Sequence, residues 1–184
     1  MTDSTITHTE QMTPLDDTPS IYVACLAAYN DGILHGAWID ATEDPDAITE
    51  AIRTMLKASP IDGAEEHAIY DYDNFHGLEL SEYTSINSVH AYATFIKEHG
   101  KLGAELLTYT GNIDHAEAMM SDGYAGCYES LADFAQELTE GTTDIPENLV
   151  YYIDYERMAR DMELSGDIFT ITTAYNEVHI LWNQ

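Results

Sequence analysis

Residues 21–40 read IYVACLAAYNDGILHGAWID, and this stretch decides the fold class. Residues 21–29 are an apolar run of strand length, expected as a buried strand. Asn30-Asp31-Gly32 follows, residue types that tolerate the positive φ of a tight turn. Residues 33–40 then return as the second strand of a hairpin. Just beyond, Asp44-Pro45 opens a helix, with Asp44 as N-cap and Pro45 at the first helical position. Ile48, Ile52, Met55 and Leu56 line one face of it, and Ser59-Pro60 ends it. Residues 67–75 (HAIYDYDNF) read as a third strand with Ile69 and Asp71 on opposite faces. An antiparallel sheet carrying a helix makes the chain α+β.

Working outward, the middle is helical. Ser85 or Ser88 caps a helix that runs through His99, with Val89, Tyr92, Phe95 and Ile96 at helical spacing and Gly100 as its stop. Residues 102–109 and 113–120 read as two shorter helices divided by Gly111, and a short strand follows at 124–128. Ser130 with Asp133 three positions on has the form of an N-terminal cap, after which Leu131, Phe134, Ala135 and Leu138 make an apolar stripe. Residues 147–164 read as one longer helix closed by Ser165-Gly166. Residues 168–182 close the chain as a hairpin around Tyr175-Asn176-Glu177. The expected organisation is a disordered Thr-rich arm at 1–19 followed by an elongated chain of three small units. These are a sheet-and-helix unit at 20–75, a helical unit at 76–122 and an α/β unit at 123–184.

Charge sets this chain apart. It carries 34 Asp and Glu against 6 Lys and Arg, a net charge of −28. The surplus is spread along the chain, since residues 61–100 and 101–140 each carry −7. A disordered acidic chain lacks aromatics, whereas this one has 13 Tyr, 4 Phe and 2 Trp. The acids therefore belong on a folded surface, where their mutual repulsion works against the compact state. Cys25 and Cys127 are too few for a disulfide framework and are expected as buried, reduced thiols of a cytoplasmic protein. No apolar run is long enough to span a membrane, and the N-terminus lacks the order of a signal peptide.

Residues that could carry chemistry are mostly acids. Glu129, Asp133, Glu137 and Glu140 recur at intervals of four, four and three, which on one helix makes a row of carboxylates about 6 Å apart. Like charges at this spacing destabilise a helix, and no Lys or Arg compensates them. Asp154, Glu156, Asp161 and Glu163 offer a similar supply on the next helix. A solvated helix face is the plainer account of either set. Duplex DNA carries one charge per about 1.7 Å of axis, so this surplus equals that of about 14 base pairs. Such a polyanion does not bind nucleic acid itself, but it competes for Lys- and Arg-lined surfaces.

Catalytic and metal signatures fall short. Asp71, Asp73 and Glu82 match three positions of a calcium loop, but His76 stands where the loop needs Gly. The 8 His show no HxxxH pair, and no CxxC is present. There is neither a nucleophile elbow nor a phosphate-cradling Gly loop. The expectation is a binding protein that is not an enzyme and uses no cofactor or metal.

With these residues in view, the chain resembles the ArdA antirestriction family. The stretches that carry the resemblance are IYVACLAAYNDGILHGAWID at 21–40, YESLADFAQEL at 128–138 and YIDYERMARDMELSGDIFTI at 152–171. The resemblance covers roughly residues 20–182. It implies a protein encoded on mobile genetic elements that mimics B-form DNA as an elongated, curved homodimer of three-unit chains. It also implies a partner: the DNA-binding site of a type I restriction–modification enzyme, whose cleavage and often modification of incoming DNA are then blocked. By the same resemblance Glu129, Asp133 and Glu137 fall near the family's antirestriction motif and dimer-forming region.

The rival account is halophilic adaptation, in which the acids serve solvation alone. A small calcium-buffering or metal-dependent protein would need a stoichiometric site that scattered acids do not supply. Mimicry and halophily separate on a simple measurement. A mimic keeps its circular-dichroism spectrum in dilute buffer, whereas a halophilic protein loses it when salt is withdrawn.

Overall fold

Strand β1 (Ser20–Cys25) is the buried centre of a three-stranded antiparallel sheet, with β2 (Gly36–Asp40) and β3 (His67–Asp73) on its two sides. Val23 and Ala24, neighbours on opposite faces, are both buried, so the strand is covered on both faces. A computed structural model describes residues 17–183. The chain divides into two compact units, 1–98 and 99–184, and the helical middle is shared between them. Of the Thr-rich arm read at 1–19, residues 1–16 lie outside those described. Of the three residues that follow, Thr18 accepts a hydrogen bond from Asn74 Nδ2 at 3.1 Å, and Pro19 accepts one from the Ala41 N–H at 2.9 Å.

The hairpin read from 21–40 is present, but its strands are shorter than expected. β1 stops at Cys25, and α1 (Leu26–Asn30) is a helical turn inserted before the return strand. Its end is closed by N–H groups of Asp31, Gly32 and Ile33 on the carbonyls of Ala28 and Tyr29, at 2.9–3.1 Å. Asn30-Asp31-Gly32 thus terminates a helix instead of joining two strands, and Gly32 takes φ 77 to do so. Alternation is absent from the run, and an apolar run alone does not separate strand from helix.

Helix α2 (Pro45–Lys57) starts as read: the Asp44 carboxylate accepts from the Asp46 N–H at 2.9 Å. It buries Ile48, Ile52 and Met55 against β1 and β2. In β3, Asp71 pairs with Tyr22 but Ile69 pairs with Val23, so Tyr70 is an extra, bulged residue. That bulge puts Ile69 in the core and Asp71 in solvent, as the sequence suggested. Helix α3 (Ile86–Thr110) is capped by Ser85, whose Oγ accepts from the Ser88 N–H at 3.1 Å. It is interrupted at Gly100, where φ 57 and ψ −138 are not helical.

In the second unit, Asn112 caps α4 (Ile113–Ala118) by accepting from the His115 N–H at 3.0 Å. A wide helical turn (Met119–Gly123) leads into β4 (Tyr124–Tyr128). Strands β5 (Ile168–Ala174) and β6 (Glu177–Trp182) complete an antiparallel sheet of order β4-β6-β5. Helices α5 (Leu131–Thr142) and α6 (Tyr155–Ser165) pack on each other and on this sheet. Phe134, Ile168 and Ile180 form the buried centre, with Leu131, Leu138, Met162 and Trp182 packed around it.

Two expectations are corrected here. The helix read over 147–164 begins only at Tyr155. Before it, a tight turn (Val150–Tyr152) is held by three-residue bonds from the Leu149 N–H to Pro146 and from the Tyr152 N–H to Leu149, at 2.8 and 2.9 Å. Ile153 is extended, and Asp154 caps α6 by accepting from the Arg157 N–H at 2.9 Å. An aspartate with a free N–H three residues on competes with helix continuation. Second, Cys25 is buried as expected but Cys127 is exposed. It lies opposite His179 on the edge strand β4, while Ala125 and Tyr128 take the core positions.

Gly36 gives this fold a sensitive point. A Cβ there would lie 2.5 Å from the Val23 carbonyl oxygen and 2.7 Å from the Tyr22 ring. Gly36→Ala should therefore cost roughly 1–3 kcal/mol, read as a lower urea midpoint at unchanged m-value.

Candidate functional site

The eight carboxylates singled out in the sequence are all exposed, and all belong to the second unit. Helix α5 turns Phe134 and Ala135 to the core, which leaves Asp133, Glu137 and Glu140 in solvent. The expected four-member row is three on the helix itself. Glu129 precedes the Ser130 cap and is not helical, because Ser130 has extended backbone angles. On α6, Ala159 is buried and Glu156, Asp161 and Glu163 are exposed, with Asp154 at the cap.

Local chemistry holds several of these groups in place. The Ser130 hydroxyl donates to Asp133 at 2.6 Å and accepts from the Asp133 N–H at 3.2 Å, which is a reciprocal cap. The hydroxyls of Tyr128 and Tyr155 donate to Glu137 and Glu140 at 3.3 and 3.2 Å. Burial, and then the charge of Glu137, pushes the Tyr128 phenol above its ordinary value. Burial and Glu140 do the same to Tyr155. Thr170 donates to Glu163 at 2.8 Å. Each bond orients a carboxylate without neutralising it.

Cations do not neutralise them either. Among the described residues, the single lysine or arginine within 4.0 Å of a carboxylate is Arg53, 3.3 Å from Glu50 on α2. Lys97 and Lys101 are spent on neutral oxygens, the Thr42 hydroxyl and the Thr173 carbonyl, at 3.2 and 2.8 Å. Arg157 and Arg160 stand exposed on α6 among its acids. The surplus charge is thus left facing water.

The family model for the antirestriction protein ArdA matches residues 21–177, most of the chain. The chain belongs to the ArdA family. That membership carries an antirestriction role, directed at restriction–modification enzymes. The ArdA match runs from β1 to the start of β6 and includes all eight carboxylates. Compared with curated proteins, the chain matches none at a significant level.

A further polar network of this ArdA chain lies in the second unit. Tyr124, His179, Thr173 and Glu177 form a hydrogen-bonded chain that no local pattern signals, because its members sit on three different strands or their ends. Thr173 donates to Glu177 at 3.0 Å, so it accepts from His179 Nε2–H at 3.0 Å, and His179 Nδ1 accepts from the Tyr124 hydroxyl at 2.9 Å. Among the described residues, no three His, Cys, Asp or Glu side chains converge as a metal site would need. Nor, among them, is any helix long and apolar enough to cross a membrane.

Burial holds the His179 imidazole below its ordinary value of 6.5, against the opposing pull of Glu177. A histidine held low favours its neutral form in the fold. Its contribution to stability is full above 6.5 and is lost as pH falls through the depressed folded value. The His179 ring should therefore titrate below 6.5 in an NMR pH series. A midpoint above that value would mean that Glu177 outweighs burial.

Proposed function

We propose that this ArdA chain acts as a DNA mimic that occupies the DNA-binding site of a type I restriction–modification enzyme. The observation that carries this reading is the exposed carboxylate surface of α5, a helix with no Lys or Arg, joined by the exposed acids of α6. Along α5, Asp133 and Glu137 are four residues apart, a rise of about 6 Å. A Lys- and Arg-lined channel releases its own bound anions, and the mimic its cations, when the two surfaces meet. Binding should then be strong at low salt, fall steeply as salt rises, and depend on the sum of many charges. A homodimer with contacts in residues 123–184 doubles the charge offered to the enzyme. Occupying the DNA site needs no bond-making, which agrees with a protein that is not an enzyme.

The experiment is competition: the full chain is titrated into a type I enzyme bound to labelled duplex, at two salt concentrations. Displacement near stoichiometry that weakens with salt is the expected result. Reversals to Lys are best placed at Glu129, Glu137, Glu156 and Asp161. Asp154 is the N-cap of α6, whose loss costs about 1 kcal/mol of helix stability in addition to charge, and Asp133 holds the Ser130 cap of α5. Stepwise reversal should weaken inhibition gradually. A single reversal that abolishes it in a folded protein would point to a discrete site, and a folded wild type that displaces nothing would leave halophilic solvation as the account of the charge.

A further inference from the structure

The first unit carries an aromatic platform that the carboxylate argument does not use. Tyr70 is the bulged residue of β3, and bulges re-aim side chains that a regular strand would direct elsewhere. Its ring lies against Tyr29 of α1, with centroids 4.7 Å apart and planes at 59°. The Ile69 N–H donates to the Glu82 carbonyl at 3.0 Å, which ties Glu82 and Tyr83 beside the same strand. Although their rings are in contact, Tyr29 is 51% and Tyr70 40% exposed, and Tyr83 is 71% exposed. Burial, the hydrogen bond with Tyr29, and then the nearby charges of Glu82 and Tyr83 push the Tyr70 phenol up to about 12.

We infer that Tyr29, Tyr70 and Tyr83, with Glu82, form a seat for an arginine or lysine side chain projecting from the partner's DNA-binding surface. The inference rests on the mimic reading and adds a discrete contact to it. Charge complementarity selects the occupant. Residues 58–96 contain seven acids and neither Lys nor Arg, so a second copy of this face would meet like charge. A cation is instead attracted by the faces of exposed phenol rings and by Glu82 together. Guanidinium fits best, since it stacks on a ring while its N–H groups reach a carboxylate. DNA offers no such ring face on its outside, so this contact would hold the enzyme in a way that phosphates do not.

The test uses the full chain and an intact type I enzyme in the same competition, with a salt series. Tyr83→Leu and Tyr70→Leu keep apolar bulk but remove the ring face. Each should require roughly fivefold to thirtyfold more protein for half-displacement, as a cation–ring contact of ordinary strength implies. The slope against log salt should stay unchanged. Tyr83→Phe and Tyr70→Phe should stay within about twofold of wild type, because the face is retained. Glu82→Gln should weaken displacement and flatten the salt dependence. Tyr83 is the most exposed of the three rings, so its variants should keep the wild-type circular dichroism even where those of Tyr70 do not. Leu variants that compete like wild type would overturn the inference while leaving mimicry standing. So would Phe variants as weak as Leu, or a change in sedimentation marking the patch as a self-association surface. A wild type that displaces no DNA would remove the mimic reading, and this contact with it.

Discussion

A chain with a net charge of −28 folds only where burial of apolar surface outweighs the repulsion among its acids. Everything else in the structure follows from how that conflict is resolved. Each unit buries its apolar residues in a small antiparallel sheet and in the helices packed against it. Phe134, Ile168 and Ile180 hold the second unit together. Ile21, Val23, Ile48 and Ile52 are among the buried residues that hold the first. The acids then have one place to go, the outer faces and the loops. The few cations are not set against them: Lys97 and Lys101 bond to neutral oxygens, and Arg53 alone, among the described residues, meets a carboxylate.

The same carboxylates serve two ends. Asp44, Asp133 and Asp154 sit at helix N-termini, where backbone N–H groups and the helix dipole favour a negative charge. An acid there stabilises the fold and still presents its charge to solvent. Later in the helix the balance reverses, since Glu137 and Glu140 gain nothing from the dipole and repel their neighbours. Hydroxyls of Tyr128 and Tyr155 steady them instead. This gives part of the high tyrosine content a physical purpose: a phenol contributes apolar area to the core and a neutral donor at the surface, so it orients a carboxylate without cancelling it.

The pattern bears on how an antirestriction protein of the ArdA family can be both stable and strongly charged. Stability is concentrated in apolar contacts and caps, which are local. Charge is dispersed over the surface. Substituting one acid away from the caps should therefore remove surface charge without removing an apolar contact or a cap.

Much of this was legible in the sequence, and the physical reason is locality. Asp44-Pro45, Ser130 with Asp133, Gly100 and Ser165-Gly166 mark helix ends through bonds that span a few residues, and the structure places them as read. Gly166 closes α6 with N–H bonds from Gly166 and Asp167 to Glu163 and Met162, both at 3.2 Å. The hairpin at 168–182 turns at Tyr175-Asn176, where Asn176 takes φ 59. The acids at 129–140 were named from their spacing and those at 154–163 as a similar supply on the next helix, and all eight are exposed. Part of what local reading missed depended on contacts between distant segments, and part on local competition between caps and helix. The apolar run 21–29 breaks into a strand and a helical turn because the Leu26 N–H bonds to Glu66, forty residues on. The acidic row loses Glu129 and the helix at 147–164 loses its first turns, because caps and extended residues compete with helix continuation. Tyr70 meets Tyr29 only through a bulge in β3, and Tyr124 meets His179 only across a strand pair. Sequence by itself determined the charge, the apolar faces and the helix ends, since each is a property of neighbouring residues. Tertiary structure alone decided which carboxylates are held, which tyrosines meet and where strands stop, since those depend on hydrogen bonds and packing between residues far apart in the chain.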